Sequence, residues 1–373
     1  MNIRQIDPTK RREARRFVDF PDELYRSCPQ WVPYPRQDKL AHLNRRNAFF
    51  AHSEADFFVA EAVGQLLGRI CVMENRHYNA FRQARHAFFY LFDVVDDAAV
   101  ARALFEVAID WSRQRGLNVL VGPKGFVPFD GIGMLYQGFE HPPAMGIPYN
   151  YAYYNRFMEQ LGFEKEIDFT SFYLNCREFH LPERFIRVAE RVKSRRNLRI
   201  RGFTSKRELR RWIPALVDAY NRAFVDNWEY VPVTPAETEE LAKRMLQIVR
   251  PEHIKLVFDP TDQVVGFLLT FLDISTALQR TEGKLFPFGW IRLLAALRQP
   301  AWININGMGF LEEYRGLGGN AILYTELEKT LRQGNFAHAD LVQMADTVQD
   351  MLADMATAKV TPYKVHRVYR REI

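Results

Sequence analysis

The strongest chemical signal in this 373-residue chain is a glycine-rich turn close to residue 316. An apolar, strand-like run that begins at Trp302 precedes the turn, and a helical pattern at residues 321–333 follows it. The turn itself reads Arg315-Gly316-Leu317-Gly318-Gly319. Glycines leave backbone N–H groups accessible at the positive end of a helix, so a turn of this kind can bind a phosphate group. The sequence therefore predicts a phosphate or pyrophosphate site here, with Arg315 adding a permanent positive charge.

The spacing of this turn separates it from two common phosphate loops. No Lys-Ser or Lys-Thr pair follows the glycines, which disfavours a Walker A loop, and the G-x-G-x-x-G pattern of dinucleotide sites is absent. Residues 315–320 instead resemble the [Arg/Gln]-x-x-Gly-x-[Gly/Ala] signature of the GCN5-related N-acetyltransferase superfamily. The pattern departs from that signature at its last position, where Asn320 stands in place of Gly or Ala. An ordinary glycine-rich turn before a surface helix is the alternative.

The resemblance implies an acyl-CoA co-substrate, either acetyl-CoA or another acyl-CoA, and no metal. In that superfamily the turn cradles the pyrophosphate, and the backbone of the preceding strand holds the pantetheine arm. Carried over onto this sequence, the cofactor-binding residues are Met308, Gly309, Phe310, Leu311, Arg315, Gly316, Leu317, Gly318, Gly319 and Asn320. A backbone N–H near Met308 or Phe310 is then the expected donor to the oxyanion of a tetrahedral intermediate.

The order of predicted elements extends the resemblance to the whole chain. Apolar periodicity over residues 198–373 predicts a strand, two helices, three strands, a helix, a strand, a helix and a strand. This is the order of the acetyltransferase fold, and the front half repeats part of it. We therefore expect an α+β (mixed α/β) protein with two tandem acyl-CoA N-acyltransferase-like domains, each a mixed, mostly antiparallel sheet flanked by helices. The predicted boundaries are 1–180 and 198–373, with a basic helical connector at 181–197.

The two halves differ at the equivalent turn. The first half carries Asp93, Asp96 and Asp97 there, and no glycine. Carboxylates cap helix N-termini well, but they fill an anion site with negative charge and repel a pyrophosphate. Only the C-terminal domain is therefore expected to bind CoA.

The chain also resembles a more specific group, bacterial proteins with tandem acetyltransferase-like domains, for which the resemblance implies no particular substrate. The matching segments include residues 20–25, Trp31-Val32-Pro33, Gly122-Pro123, residues 138–142 and residues 364–369. Two positions beside the expected reaction centre depart from the group. Glu312 stands where the group tends to have Pro, and residues 346–348 replace a Glu-Asp-Asn run.

The catalytic prediction rests on carboxylates, because an acceptor amine must lose a proton before it attacks a thioester. Glu312, Glu313 and Asp346 are the nearest candidates by topology, although the two glutamates could be surface charges and Asp346 a helix cap. Superfamily members often use a Tyr on the penultimate helix to protonate the leaving thiolate. The corresponding segment here, residues 347–358, contains no Tyr.

Four further residues are predicted to line the substrate pocket. Asn304 and Asn306 are polar groups within an otherwise apolar strand, and such groups need partners, so they could line a substrate pocket or simply bond across the sheet. Tyr149 and Tyr153 belong to residues 122–154, a Gly-, Pro- and aromatic-rich stretch that serves either as a binding loop or as structural packing.

Composition indicates an ordinary globular protein, with 47% hydrophobic and 26% charged residues, a net charge of +6 and only three cysteines. No apolar run reaches the length of about 18 residues that a membrane span needs. The most apolar stretch, residues 283–297, is interrupted by Pro287, Gly289 and Arg292, and is either a core-packed insertion or a lid beside an acyl chain. The N-terminus lacks a secretory signal pattern, so a cytoplasmic location is expected.

Three functions are compatible with the sequence. The first is an acyl-CoA-dependent N-acyltransferase, with acetyl as the expected acyl group, that acts on a small-molecule or peptide amine. The second is a tandem-domain transferase that uses aminoacyl-tRNA, which the basic connector favours and the intact glycine turn disfavours. The third is a binding protein that keeps the fold without turnover. DNA is not an expected partner, since no nucleic-acid module accompanies the basic segments.

Overall fold

The computed structural model describes residues 1–127, 130–228, 230–298, 300–315 and 318–373. The chain forms two compact units, each built from separate stretches of sequence. The first unit contains Met1–Phe169, Ile274–Ala296 and Lys364–Ile373, and the second contains Thr170–Asp273 and Leu297–Tyr363.

The described residues form thirteen strands and twelve helices. The strands are β1 (Asn2–Gln5), β2 (Glu54–Ala62), β3 (Gln65–Glu74), β4 (His86–Val94), β5 (Val119–Gly122), β6 (Met134–Gln137), β7 (Glu164–Asn175), β8 (Arg199–Gly202), β9 (Ile254–Phe258), β10 (Val264–Leu272), β11 (Trp302–Phe310), β12 (His338–Ala345) and β13 (Thr361–Glu372). The helices are α1 (Arg11–Leu24), α2 (Arg36–Ala41), α3 (Arg76–Arg82), α4 (Ala98–Arg113), α5 (Tyr153–Gln160), α6 (Glu183–Arg196), α7 (Lys206–Ala223), α8 (Pro235–Ile248), α9 (Ser275–Thr281), α10 (Gly289–Arg298), α11 (Gly319–Gln333) and α12 (Gln349–Thr357).

The first unit is a mixed sheet with strand order β1-β2-β3-β4-β5-β13. Its neighbouring strands are antiparallel except β4 and β5, which run parallel where His86–Phe88 face Val119–Val121. The parallel pair is connected by α4, whose N-cap Asp97 accepts a hydrogen bond from the backbone N–H of Ala99 at 2.8 Å. Apolar residues of β2, β3, β4, α4 and α5 form the core of this unit.

The end of β13 completes the first unit. Lys364 donates to the carbonyl of Pro142 at 3.1 Å, and the Tyr369 hydroxyl donates to Oδ1 of Asn155 at 2.8 Å. Lys364 and Tyr369 are buried, so both polar groups need the partners that they find there.

The second unit repeats this plan, with strand order β8-β9-β10-β11-β12. Its strands are antiparallel except β11 and β12, which are parallel and connected by α11. Local chemistry explains several boundaries. Thr234 and Glu237 form a capping box that starts α8. Between β9 and β10, the carboxylate of Asp259 accepts from the backbone N–H groups of Thr261 and Gln263, which closes the hairpin between the two strands.

These observations confirm the predicted fold class of mixed, mostly antiparallel sheets flanked by helices. The structure also groups residues 274–296 and 364–373 with the first unit. The boundaries proposed from the sequence, at residues 180 and 197, remain a prediction. Within the described ranges, no helix combines the length and apolar character that crossing a bilayer requires.

Candidate functional site

The centre of the second unit is a pair of parallel strands that separate along their length. The ladder between β11 and β12 runs from the pair Trp302–His338 to the pair Ile305–Leu341. Beyond this point β11 continues to Phe310 while paired with β10 on its other side. A β-bulge interrupts that pairing, because Thr270 faces Ile305 and Leu269 faces Gly307, which leaves Asn306 as the extra residue. The bulge therefore lies where the parallel ladder ends, and it opens a wedge between β11 and β12.

The glycine turn lies at the open end of β11. A 3₁₀ turn, Glu312–Tyr314, follows the strand, and α11 begins at Gly319 with Gly318 as its N-cap. Two of the predicted cofactor-binding residues, Gly316 and Leu317, lie outside the described residues. Gly318 has φ +85°, the left-handed conformation that only glycine adopts at low cost.

Close packing explains both described glycines. A Cβ atom at Gly318 would lie 2.3 Å from Cγ1 of Val188 on α6, and one at Gly319 would lie 2.7 Å from the carbonyl oxygen of Tyr314. Asn320 is half-buried in the first turn of α11. Its position at the helix N-terminus exposes it to the positive end of the helix dipole.

Three arginines surround this turn. Arg315 donates to the carbonyl oxygens of Phe310, at 3.1 Å, and of Ala223. Arg222 forms a salt bridge with Glu313 at 3.0 Å, and Arg196 donates to the Glu313 carbonyl at 3.2 Å. The side chain of Arg315 thus fastens the end of β11 to the end of α7 and keeps its charge next to the turn.

The remaining strand residues of the predicted cofactor site divide by burial. Met308, Phe310 and Leu311 are buried, whereas Gly309 is half-buried. Glu312 and Glu313 are exposed, and Asp346 is half-buried just after β12. The structure therefore places all three predicted carboxylates around the open end of the wedge, at the ends of β11 and β12.

A second polar group, not predicted from the sequence as a unit, lies at the closed end of the wedge. Asn304 and Asp340 face each other as neighbours in the parallel ladder. Asn304 donates from Nδ2 to Oδ2 of Asp273 at 2.8 Å, and the hydroxyl of Tyr363 donates to Oδ2 of Asp340. Asn304 and Asp340 are both buried.

The electrostatics of this apex cluster, defined as Asp273, Asn304, Asp340 and Tyr363, favour a protonated phenol. Burial, reinforced by the Asp340 carboxylate, raises the pKa of Tyr363 far above its ordinary value. The Oδ1 atoms of Asn304 and of Asn306 are buried and accept no hydrogen bond from the described residues. One signal in the sequence could have indicated this cluster. Asp340 lies between apolar residues of a buried strand, and a buried carboxylate must find a partner.

A further buried pair links α11 to α12. The hydroxyl of Tyr324 donates to Oδ2 of Asp354 at 3.0 Å. Burial raises the pKa of Asp354 above its ordinary value, while the hydrogen bond from Tyr324 opposes the shift. The last helix, α12, thus contributes a carboxylate, and its tyrosine partner is on α11.

At the equivalent turn of the first unit, the carboxylates already have hydrogen-bond or salt-bridge partners within the protein. Asp93, at the end of β4, is buried and forms a salt bridge with Arg69 at 2.7 Å. The Tyr25 hydroxyl donates to the other oxygen of Asp93 at 3.0 Å and lies 2.9 Å from the Tyr154 hydroxyl. Burial raises the pKa of Asp93, and Arg69 opposes that shift.

Tyr149 and Tyr153, the two aromatic residues predicted to line a substrate pocket, belong to the first unit. Tyr149 donates to the carbonyl of Phe139 at 3.0 Å and packs edge-on against Tyr25. Tyr153 donates to the carbonyl of Val94 at 2.7 Å. Both hydroxyls therefore bind backbone carbonyls of the first unit. The other two residues predicted to line the pocket, Asn304 and Asn306, belong to the second unit.

Comparisons with known proteins find relatives by sequence and by structure. No family model matches the chain. Protein YghO of Escherichia coli (strain K12) is 25% identical over 368 residues, which cover 97% of this chain and 93% of that protein. The bacterial ceramide synthase of Caulobacter vibrioides (strain NA1000 / CB15N) is 30% identical over 292 residues, 77% of this chain and 74% of that protein.

Among solved structures, a tandem protein of the GCN5-related N-acetyltransferase fold from the clavulanic acid biosynthesis pathway superposes with a TM-score of 0.59. The match covers 100% of this chain and 98% of that chain at 12% sequence identity. The likeness confirms the tandem fold inferred from the glycine turn and from the order of elements. The chain therefore has the tandem GCN5-related N-acetyltransferase fold and belongs to the family of the bacterial ceramide synthase of Caulobacter vibrioides.

Proposed function

We propose that the chain is an acyl-CoA-dependent N-acyltransferase and that its second unit binds the acyl-CoA. The observation that carries this proposal is the wedge between β11 and β12, which leads from Asn306 to the N-terminus of α11. The five residues 306–310 span roughly 16 Å of extended strand. This path suits a pantetheine arm, with the pyrophosphate at the helix N-terminus and the thioester near the bulge.

The first unit has carboxylates at the position where the second unit would bind an anion. Its Asp97 occupies the N-cap of α4, and Asp93 adds a second carboxylate at the end of β4. Asp93 is paired with Arg69, and the carboxylate of Asp97 at the helix N-terminus disfavours a pyrophosphate by like-charge repulsion. We propose that one acyl-CoA binds per chain, held by the residues around Arg315, Gly318 and Asn320.

The acceptor that we propose is a long-chain amine. A ceramide is a long-chain amino alcohol whose nitrogen carries a fatty acyl group, and the relative that shares 30% identity is a ceramide synthase. In the reaction the amine nitrogen attacks the thioester carbonyl carbon. The amine proton passes to a base, the carbon–sulfur bond breaks, and the base returns that proton to the departing thiolate, so CoA leaves as the thiol. A backbone N–H near Met308 or Phe310 would stabilise the oxyanion.

The base is proposed among the carboxylates at the two ends of the wedge. Glu312, Glu313 and Asp346 lie at the open end, and Glu313 is engaged by Arg222. Asp340 lies at the closed end, next to the last ladder pair. A thioester at the bulge would be nearer to the closed end, which supports Asp340 as the base and Tyr363 as the group that orients it.

The test is acyl-CoA binding to the purified chain and to two variants at one position. Asn320→Glu places a carboxylate where the pyrophosphate would lie, and Asn320→Gln is the neutral control of the same size. Because a carboxylate in the first turn stabilises a helix, Asn320→Glu should not lower the melting temperature of the free protein. Its acyl-CoA affinity should nevertheless fall by about tenfold or more.

Titration calorimetry and thermal unfolding with acetyl-CoA and with a long-chain acyl-CoA would measure both effects. A ligand at about 100 times its dissociation constant adds roughly 2.7 kcal/mol to the free energy of unfolding. The proposal holds if the wild type and Asn320→Gln gain this stability and Asn320→Glu does not. It is wrong if no acyl-CoA stabilises the wild type, and stabilisation by aminoacyl-tRNA alone would favour the tRNA-dependent alternative.

A further inference from the structure

The segment between α9 and the end of α10 exposes an unusual amount of apolar surface. Among the described residues eleven large apolar side chains are exposed, and five of them fall between residues 286 and 294. They are Phe286 (81% exposed), Phe288 (71%), Trp290 (46%), Ile291 (48%) and Leu294 (52%). Exposed apolar side chains that cluster in this way usually mark an interaction surface.

The helix within this segment, α10, is more exposed than helices of such apolar composition normally are. Eight of the ten residues of α10, Gly-Trp-Ile-Arg-Leu-Leu-Ala-Ala-Leu-Arg, are apolar or glycine, and none of the ten is buried. A helix that is apolar on nearly all sides is normally enclosed by protein or by lipid. The exposed side chains Trp290, Ile291 and Leu294 share one face, since they are separated by one, three and four positions.

The base of the segment is held firmly, so the exposure is not that of a loose loop. Gln279 on α9 donates to the carbonyls of Pro29 and Trp31, both at 3.0 Å. Ala277 and Leu278 are buried beside it. The indole N–H of Trp290 donates to the carbonyl of Pro287 at 3.0 Å. This ring can therefore enter an apolar medium without leaving an unsatisfied donor.

The charges around the apolar tip are mainly positive. Residues 280–296 contain Arg280, Lys284 and Arg292 against the single carboxylate Glu282, a net charge of +2. The three cations, Glu282 and the rings of Phe286 and Phe288 line one shallow depression of about 350 Å³, in which Lys284 donates to the Glu282 carboxylate. Cations at headgroup level beside inserted aromatic and aliphatic side chains are the arrangement by which proteins dock on anionic lipid surfaces.

We propose that residues 280–296 dock the protein on the surface of a membrane that contains anionic phospholipids. Phe286, Phe288 and Leu294 enter the interface between headgroups and acyl chains, and Trp290 lies at its polar edge. Arg280, Lys284 and Arg292 contact lipid phosphates. The inference does not depend on the acyl-CoA site, because it uses only exposure, anchoring and charge in the first unit.

The test is co-sedimentation of the full chain with phosphatidylcholine vesicles, prepared with and without phosphatidylglycerol. The apolar variant is Phe286→Ser/Phe288→Ser/Leu294→Ser, and the charge variant is Arg280→Glu/Lys284→Glu. Phe81→Ser and Arg102→Glu, exposed positions elsewhere in the first unit, are the matched controls. Thermal unfolding of every variant checks that folding is preserved.

The wild type and both controls should sediment with the anionic vesicles, and added salt should weaken the binding. The apolar variant should bind about tenfold or more weakly. The charge variant should lose most of the preference for phosphatidylglycerol. Brominated lipids should quench the fluorescence of the wild type more than that of Trp290→Phe.

Two results would overturn the proposal. One is equal sedimentation of the wild type and the apolar variant. The other is a wild type that does not bind vesicles but forms a dimer, while the apolar variant does not dimerise. That result would make this surface an interface between two copies of the chain. Neither result depends on acyl-CoA binding, so the docking proposal and the proposed function can fail separately.

Discussion

Gly318 and Val188 are packed so closely that a Cβ atom at Gly318 would lie 2.3 Å from Cγ1 of Val188. The glycine also has φ +85°, so any other residue there meets both a clash and a strained backbone. We predict that Gly318→Ala lowers the free energy of unfolding by about 2–4 kcal/mol. Val188→Ala in the same chain should restore the part due to the clash. Urea denaturation of the two single variants and the double variant measures this coupling.

The control for this cycle is Gly116→Ala. Gly116 has φ +71°, but a Cβ atom there would meet no described atom within 4 Å beyond its chain neighbours, so its substitution tests backbone strain alone. It should cost about 1–2 kcal/mol. If Gly318→Ala costs no more than this, or if Val188→Ala fails to restore stability, the packing explanation for glycine at residue 318 is wrong.

Removal of Asp93 should be far more damaging than removal of the Tyr25 hydroxyl. Arg69 and Asp93 form a buried salt bridge at 2.7 Å, so Asp93→Ala leaves a buried guanidinium without its carboxylate. We expect a loss of about 3–5 kcal/mol. Tyr25→Phe deletes one hydrogen-bonding group and should cost about 1 kcal/mol. Equal losses in urea denaturation would show that the charge of Arg69 finds water or another partner.

Acid should destabilise the protein through two buried histidines. Burial lowers the pKa of His253 to about 4 and that of His366 to about 3. An unfolded histidine titrates near pH 6.5, so the unfolded chain binds more protons than the folded chain between these values and stability falls as the pH falls. Each histidine should cost about 2 kcal/mol between pH 7 and pH 5.

His366→Gln provides the measurement for this prediction. Nε2 of His366 lies 3.1 Å from the Pro148 carbonyl, and a glutamine amide can donate a similar hydrogen bond without titrating. The loss of unfolding free energy between pH 7 and pH 5 should shrink by about 2 kcal/mol in the variant. An unchanged pH dependence would mean that His366 has the same pKa in the folded and the unfolded chain.

For the pair Tyr324–Asp354 we predict only the direction in which the pKa of Asp354 changes. The hydrogen bond from the Tyr324 hydroxyl holds the pKa of Asp354 down against the effect of burial. Tyr324→Phe should therefore raise the pKa of Asp354 further, as measured by NMR titration of its carboxyl carbon. A fall in that pKa would indicate that the variant lets water reach the carboxylate.

Variants at Asp340 and Asp346 distinguish a catalytic base at the closed end of the wedge from one at its open end. If Asp340 accepts the amine proton, Asp340→Asn should lower kcat by roughly 10²–10⁴-fold. Asp346→Asn, Glu312→Gln and Glu313→Gln should then retain most of the activity. The reverse pattern would assign the base to the open end of the wedge. Acyl-CoA affinity of each variant distinguishes lost chemistry from lost binding.

Local patterns in the sequence predict the elements of both units closely. Residues 97–114 have the apolar spacing of a helix and form α4, Ala98–Arg113, and the turn-forming residues Asp259-Pro-Thr-Asp262 lie in a hairpin that the Asp259 carboxylate closes. In these segments apolar spacing and capping groups act over only a few residues, so one stretch of sequence contains the whole cause. The helix α1 is not among the predicted elements, and it includes Pro21, a residue that usually ends a helix.

The parts that could not be predicted depend on residues far apart in sequence. Asp340 and Tyr363 meet only because two strands carry them to the same place, and Val188 reaches Gly318 only because α6 packs on α11. Periodicity shows which face of a strand is buried, but it does not identify the partner across the sheet. For the same reason residues 274–296 and 364–373 could not be assigned to the first unit in advance.

The position of β13 has a consequence for synthesis of the chain. The first unit contains residues up to Phe169 and is completed only by Lys364–Ile373, whose strand pairs with β5. At bacterial and eukaryotic elongation rates, the intervening stretch of about 200 residues takes roughly 10–40 s to translate. During that time the edge of β5 lacks this neighbour, and exposed strand edges are sites of aggregation. Chains that stop before residue 364 should therefore need chaperone protection, which the addition of residues 364–373 removes.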